Sequence, residues 1–406
     1  MRKPLEGIKV LDLTTFVAAP VTARLLGDMG ADVVKVERPV GDGWREYGIA
    51  YNTRFSHDAN PVFDIYNSGK KMIALNLKDP DAKEIFWKLL KEADVFVTNT
   101  RPDALARLGF SYEEVKKVCP RLIYAIVLGY GEEGPEAASP AFDSSAFWTR
   151  SGFLRDMAFD SDNYYPVNAP AGVGDTATGY NLVAQICAAL YNRDRTGEGD
   201  YVSSGLYNVG LFTMGTMEII SQPACGAHYP KTRDEQAGPG SCYKCADGDW
   251  IFMSPGDQKI SVPKMFRMMG RPDLAELECW QTVEGRRANK EMLYRELVAG
   301  YLQKPADQWV TLAKEFDLPL VRMNHFADTA TDPQAWANGY LENMTCPSGY
   351  EVVMPNPPIR MNSVGEIKTV PAGKIGTDTQ QVLEDLGYTK EEIDAMEAKR
   401  AIARLK

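Results

Sequence analysis

The chain has 406 residues, with 45 Lys and Arg against 55 Asp and Glu, for a net charge of −10. That balance disfavours a diffuse role on nucleic acid or an anionic membrane, since both need a positive surface. At 44 % hydrophobic and 25 % charged residues, the composition is that of a globular protein of two or three domains.

The opening MRKPLEGIKVLDL has no long apolar run and no small-residue cleavage site, so it does not read as a signal peptide. No stretch reaches the ~18 apolar residues that span a bilayer. Seven cysteines are odd in number and sparse, unlike a disulfide scaffold. These features point to a cytoplasmic protein. His57, His228 and His325 are scattered, and no metal site is expected.

Ile8–Leu13 (IKVLDL) predicts a strand, Pro20–Met29 (PVTARLLGDM) a helix ended by Gly30, and Asp32–Glu37 (DVVKVE) a second strand. Strand–helix–strand implies parallel strands joined by a right-handed crossover. The pattern returns in strand-like Ile73–Leu77, helical Asp81–Glu92, and strand-like Val95–Thr98 and Leu122–Leu128. The expected class is therefore α/β with a doubly wound parallel sheet. Thr176–Tyr191 predicts a largely buried helix, Val202–Ser204 a strand and Gly205–Ser221 one long apolar helix. Gln222–Gly240 reads as a linker, and Ser241–Ser254 as a hairpin turning near Asp247–Asp249. Helical patterns then run to Glu315, and Asp378–Lys406 reads as a charged helical pair broken at Gly387.

The first βα turn, Thr15–Pro20 (TFVAAP), lacks GxGxxG, so close approach to a dinucleotide pyrophosphate is unsupported. Glu37 suits a ribose hydroxyl and Arg38 a phosphate, but a nicotinamide enzyme would rest on fold analogy alone. Cys242 and Cys245 form a lone CxxC. A structural zinc needs about four ligands, so the pair reads as two residues on a strand. Lys35, Arg38, Lys78, Arg101 and Arg107 fall at or after predicted strand ends, where open α/β sheets bind ligands. Arginine there offers a planar fork for phosphate oxygens; the alternative is a set of solvated surface charges. Ala171–Tyr180 (AGVGDTATGY) is the most informative segment, with Gly172 and Gly174 before Asp175 at the opening of the buried helix. Asp175 there is either an N-cap or a carboxylate nucleophile toward an activated acyl group. Flanking glycines favour the second, because they let a ligand approach the backbone.

Several segments then carry a family resemblance: LEGIKVLDLT from Leu5, GADVVKVERPVGD at Gly30–Asp42, LNLKDPDAKEIF at Leu75–Phe86 and NTRPDALARLGF at Asn99–Phe110. GYGEEGP at Gly129–Pro135, AGVGDTATG, RTGEGDYV at Arg195–Val202 and TQQVLEDLGYTKEEID near the tail complete the set. In this order and spacing the chain resembles the family III CoA-transferases, the group of formyl-CoA:oxalate, carnitine and 2-hydroxyacid CoA-transferases. The resemblance implies a large Rossmann-like domain built from both chain ends, here 1–221 and 326–406, around a smaller α+β domain at 222–325. It implies an interlocked homodimer, with coenzyme A as a substrate and no tightly bound cofactor. It matches Asp175 to the catalytic aspartate. Val17, Ala18, Arg38, Leu75, Asn76, Leu77, Lys78, Asn99, Thr100, Arg101 and Arg107 match CoA-binding positions, and Phe142 and Asp143 fall beside the acyl group. Gly238 and Gly240 of AGPGSCY stand where formyl-CoA transferases carry a glycine flap, interrupted here by Pro239. Val17 stands where those enzymes have glutamine, which suits a larger, less polar acyl chain.

The related α-methylacyl-CoA racemases use a histidine for two-base proton exchange, and Phe142 occupies that position. A non-catalytic CoA-binding subunit is the other class of reading. The subgroup resembled belongs to amino-acid-fermenting anaerobes and serves (R)-2-hydroxyisocaproate or aryl-lactates, with a 2-hydroxyacyl-CoA dehydratase as an implied partner. An unperturbed aspartate ionises near pH ~3.9, so Asp175 is expected to need no base. Backbone N–H groups at the glycine turn or the helix start are the expected oxyanion donors, and the Gly238–Gly240 loop is the expected lid.

Overall fold

The structure, a computed structural model, describes residues 2–157, 169–226 and 238–405. Its first half alternates strands and helices: β1 (Lys9–Leu13), α1 (Ala18–Asp28), β2 (Asp32–Glu37), α2 (Pro61–Asn67), β3 (Lys71–Leu75), α3 (Pro80–Glu92), β4 (Val95–Thr98), α4 (Pro102–Leu108), α5 (Tyr112–Val118) and β5 (Ile123–Leu128). Local chemistry sets their ends. Asp79 caps α3 by accepting from the Asp81 amide, with Pro80 at the first helical position. Ser111 and Glu114 form a capping box on α5.

A π-helical turn, Asp143–Thr149, and α6 (Phe153–Asp156) precede α7 (Val173–Thr196), which stops at left-handed Gly197. After β6 (Asp200–Gly205), the single helix expected over Gly205–Ser221 is instead α8 (Leu206–Thr213) and α9 (Gly215–Ile220), broken at Met214. Gly215, a poor helix former, follows the break.

Residues 220–332 form the body of a second compact unit. Its antiparallel sheet runs β7–β8–β9, from β7 (Ser241–Lys244), β8 (Trp250–Met253) and β9 (Leu320–Arg322). The helices α10 (Gln258–Met268), α11 (Pro272–Ala275), α12 (Val283–Ala288), α13 (Lys290–Tyr301) and α14 (Ala306–Glu315) accompany it. Phe266, Trp280, Tyr301 and Trp309 fill its core, together with Cys245. Most of the segment read as a linker, together with His228, lies outside the described residues.

The chain rejoins the first unit at Pro333 rather than at 326, because residues 326–332 cluster with the second. The return carries α15 (Pro333–Ala337), a hairpin of β10 (Leu341–Thr345) and β11 (Glu351–Pro355), then α16 (Thr379–Asp385), α17 (Lys390–Ala398) and β12 (Ile402–Ala403).

Among the described residues the first unit's main sheet has the order β12-β3-β2-β1-β4-β5-β6. Strands β3 through β6 are parallel and β12 is an antiparallel edge. The parallel part is the doubly wound nucleotide-fold order, reversing direction between β1 and β4. Covered on both faces, β5 is apolar throughout and wholly buried. Phe86, Leu90, Phe96 and Phe110 pack on one face with Leu383 and Ile393 of the returning chain. Ala19, Ala23 and Leu26 of α1 pack on the other with Leu182, Ile186 and Leu190 of α7. No helix of the described residues is long and apolar enough to cross a membrane.

Gly179 lets α1 and α7 approach this closely. A Cβ there would stand 2.2 Å from Val21 Cγ1 and 2.7 Å from the Ala18 carbonyl. Backbone cannot yield as a side chain does, so Gly179→Ala should cost about 1–3 kcal/mol. A lowered melting temperature in calorimetry checks it.

Candidate active site

The strand order reverses between β1 and β4, and Asn99, just after β4, clamps the loop that follows β1. Its side chain accepts from the Thr15 N–H at 3.0 Å and donates to the Thr15 carbonyl at 2.8 Å. Buried charges support the same loop from below. Lys70 pairs with Asp12 at 2.8 Å, and Lys35 donates to the Thr14 carbonyl at 2.8 Å while pairing with Asp42 at 3.2 Å. Burial disfavours the Lys35 charge, but Asp12, Asp42 and Glu37 outweigh it and hold its pKa above the ordinary value. For Lys70 burial wins, pulling it down to about 8. Asp42 Oδ1 accepts from the amides of Phe16 and Trp44. Phe16 is held at φ +64, a left-handed conformation that costs a non-glycine residue about 1–2 kcal/mol.

Two sequence readings fall here. Lys35 is fully buried and paired, so it leaves the group of ligand-binding cations. Glu37 receives Arg45 at 2.9 and 2.7 Å and the Asp42 amide at 2.9 Å. Both its oxygens are taken, and the ribose role that a nicotinamide enzyme would need goes with them.

Helix α7 begins at Val173 on a left-handed Gly172, so Asp175 lies inside the first turn and is not its N-cap. The cap comes from elsewhere: Asp143, on the π-helical turn, accepts from the Gly172 amide at 2.9 Å. The Gly174 and Asp175 amides also favour its ionised form. The Gly172 N–H, one of the amides expected as oxyanion donors, is spent on Asp143. Gly174 has no room for a side chain, because a Cβ would stand 2.1 Å from Phe147 Cγ and 2.3 Å from Asp143 Oδ1. The half-buried Asp175 carboxylate takes part in no hydrogen bond or ion pair found among the described residues. Burial, and then the Asp143 charge, push its pKa up to about 7. It is thus not the ordinary aspartate expected from sequence.

Phe142, 58 % exposed, meets Phe16, 39 % exposed, edge to face at 5.6 Å, and Phe16 meets Trp44 at 6.3 Å. Tyr66 of α2 lies beneath them, its hydroxyl 3.1 Å from where a Cβ on Gly172 would stand. Phe16, Trp44 and Tyr66 were missed in sequence. The left-handed φ of Phe16 has no local signature, and Tyr66 sits in an ordinary amphipathic stretch.

The other matched positions divide by exposure. Val17, Ala18 and Leu75 are buried in the core, leaving only their backbone for a ligand. Leu77, Asn76, Asn99 and Thr100 are half-buried, while Arg38, Lys78, Arg101 and Arg107 are exposed. Leu75 is the last residue of β3, and the others follow the carboxyl ends of β1 to β4. Arg107 pairs with Asp103 at 2.7 Å in full solvent, a contact worth little. Gly238 and Gly240 belong to the second unit, where the Gly238 carbonyl accepts from Tyr243 Oη at 2.6 Å. No cluster of three or more His, Cys, Asp or Glu able to hold a metal occurs among the described residues.

This is the frame of an α/β enzyme with its ligand edge at a switch point, and comparison with known proteins supplies the family. The profile described as CoA-transferase family III matches residues 5–379. The chain belongs to that family and is a transferase of CoA groups. It is 36 % identical to the (R)-2-hydroxy-4-methylpentanoate CoA-transferase of Clostridioides difficile, over 96 % of this chain and 97 % of that protein. It is 32 % identical to the cinnamoyl-CoA:phenyllactate CoA-transferase of Clostridium sporogenes, over 98 % and 97 %. Among solved structures, a CAIB/BAIF family protein from Brucella suis superposes with a TM-score of 0.78 at 26 % identity, covering 95 % of this chain and all of that one.

A nucleophilic Asp175 must be ionised, so kcat/KM should fall as pH drops below about 7. Asp143→Asn keeps an acceptor for the Gly172 amide and removes the neighbouring charge. It should move that acid limb to lower pH, as read from a pH–rate profile.

Proposed function

We propose that this CoA-transferase moves CoA between an acyl-CoA and a carboxylic acid through covalent intermediates on Asp175. Its acids are 2-hydroxy acids with a branched or aromatic side chain, such as 2-hydroxyisocaproate or an aryl-lactate. The observation that carries this reading is the Asp175 carboxylate itself, partly desolvated and without a hydrogen-bond partner among the described residues, at the start of a helix whose capping work Asp143 has taken over. A carboxylate used only as a cap would be spent on amides; this one is left for a reaction.

The chemistry balances without an external acid or base. An Asp175 oxygen attacks the donor thioester carbonyl, the C–S bond breaks, and CoA departs as thiolate, leaving a mixed anhydride. The thiolate attacks the aspartyl carbonyl, giving an aspartyl-CoA thioester and the free donor acid. The acceptor carboxylate attacks this thioester, and the released thiolate then takes the new acyl group from the second anhydride. The protein holds the partners in place and keeps water from the anhydrides.

Arg38, Lys78, Arg101 and Arg107 serve the CoA phosphates, with the backbone of Val17, Ala18 and Leu75 beside the rest of the CoA. Phe16 and Phe142 face the acyl group, and this exposed pair favours apolar or aryl chains over formyl or oxalyl groups. The names of the two clostridial relatives support the same choice of acid. The interlocked homodimer, the Gly238–Gly240 lid and a dehydratase that consumes the 2-hydroxyacyl-CoA product belong to this reading through the family resemblance.

Incubation with isocaprenoyl-, cinnamoyl- or formyl-CoA, followed by hydroxylamine or borohydride trapping, should label the peptide that holds Asp175. Asp175→Ala should abolish label and transfer while CoA binding persists; equal turnover in that variant sinks the mechanism. An aromatic contact is worth about 0.5–1.5 kcal/mol. Phe142→Ala should therefore raise KM for cinnamoyl-CoA about 2–10-fold and leave that for formyl-CoA unchanged, in steady-state assays.

A further inference from the structure

The phenol of Tyr66 has no task in that scheme, yet the structure goes to some length to place it. Its ring packs with Val17, Trp44, Phe63 and Met72. The short helix α2 that carries it is pinned along its length. Asn60 accepts from the Val62 amide at 3.0 Å and donates to the carbonyls of Arg45 and Tyr47 at 2.8 and 2.9 Å. Asp64 accepts from the Ala372 amide of the returning chain at 2.9 Å, and Asn67 accepts from Lys70 at 2.9 Å. So short a helix has little stability of its own; these bonds fix its position.

They carry the hydroxyl to the start of α7. Tyr66 Oη lies 3.1 Å from the point where a Cβ on Gly172 would stand, and Val17 Cγ1 lies 3.7 Å from the same point. The Thr176 side chain, one residue beyond Asp175, is within hydrogen-bond reach of the phenol oxygen. Burial raises the pKa of Tyr66, and the charges of Asp175 and Asp143 raise it further while Thr176 opposes them. The phenol therefore keeps its proton at neutral pH. No carbonyl or carboxylate among the described residues takes that proton in a hydrogen bond. Three nearby backbone donors are committed: the Gly172 amide to Asp143, the Thr15 amide to Asn99 and the Phe16 amide to Asp42.

We propose that Tyr66 is a catalytic hydrogen-bond donor, its hydroxyl holding the acyl oxygen that turns negative when Asp175 and CoA exchange on the substrate carbonyl. The proposal rests on Asp175 being the nucleophile. Asp175 Oδ bonds to the carbonyl carbon, the C=O electron pair moves onto the carbonyl oxygen, and Tyr66 donates to that oxygen without giving up its proton. The pair returns as the C–S bond breaks and the thiolate leaves. A donor fixed in advance and partly shielded from water stabilises the charge where it develops and needs no reorganisation. The same hydroxyl meets the acid's carboxylate in each half of the cycle, so one donor serves both anhydrides.

The test compares wild type with Tyr66→Phe, using cinnamoyl-CoA and isocaprenoyl-CoA as donors. It measures kcat, KM, CoA affinity by calorimetry, and the single-turnover rate of Asp175 labelling. The expected result is a kcat and a labelling rate lower by about 10–100-fold, with CoA affinity within about twofold of wild type. Labelling at the wild-type rate overturns the proposal and leaves the Asp175 mechanism standing. A fall in CoA affinity as large as the fall in kcat also overturns it, because that is the mark of a structural role. A wild type that acquires no label with any donor removes the Asp175 reading and this proposal together. Where Tyr66→Phe does not fold, 3-fluorotyrosine at position 66 keeps the ring and makes the hydroxyl a stronger donor; an unchanged kcat then overturns the proposal.

Discussion

The site hangs on one long-range hydrogen bond, from the Gly172 amide to the Asp143 carboxylate. A helix that begins on glycine has no side chain of its own to satisfy its free amides. Asp143 does so from 29 residues upstream, and in doing so it brings the π-helical turn against the start of α7. Gly174 is a consequence of this approach, since any side chain there would occupy the space of Asp143 and Phe147. The aromatic pair follows as well, because Phe142 precedes Asp143 and is carried with it to Phe16. The capping bond therefore places a carboxylate, an aromatic wall and a helix start in one spot, and it frees Asp175 from capping.

The opposite wall is held by a different kind of force. Asp12, Lys35, Glu37, Asp42, Arg45 and Lys70 are buried charges under the first βα loop. Burying charge is costly, and a pair of this kind is no better for stability than well-packed apolar residues. What such pairs supply here is geometry. Lys35 and Asp42 hold the loop from Thr14 to Phe16 through both a carbonyl and an amide, and Phe16 is kept left-handed by that grip. Truncating one partner would leave the other buried and unpaired, so the network stands or falls as a unit. Dinucleotide enzymes shape the same switch point with glycines; here charges and one strained phenylalanine do it.

The parts of the fold with local causes were legible in the sequence. β2 and β4 lie where alternating and β-branched runs placed them, and the α/β class followed from their order. β3 begins two residues before Ile73, at Lys71, because the ladder with β2 includes residues whose side chains carry no strand signal. The break at Met214 was missed because the apolar run passes straight through it. β12 has two residues, too few for any period to register. At the site, Asp175 stood out because glycines flank it, but its perturbed pKa did not, since burial and the Asp143 neighbour are tertiary facts. Tyr66 was illegible for a related reason: VFDIYN reads as one side of any small helix, and only its packing turns the hydroxyl toward α7.

The raised pKa of Asp175 has a thermodynamic counterpart. A carboxyl that ionises near 7 in the folded chain and near ~4 in the unfolded one binds more protons when folded over that whole interval. Stability therefore falls as pH rises from about 4 to about 7, because the folded state must ionise a carboxylate that the unfolded chain ionises more easily. At neutral pH and above, the protein carries this cost in full. For the proposed nucleophile the gain is kinetic: a partly desolvated carboxylate is a stronger nucleophile than one tied to amides and water. The capping by Asp143 serves both sides of this balance. It supplies the helix with the carboxylate it needs, and its charge raises the Asp175 pKa further. Arg38, Lys78, Arg101 and Arg107 are all exposed, so in the proposed mechanism charge favours the approach of CoA while burial and Asp143 disfavour the charge on Asp175.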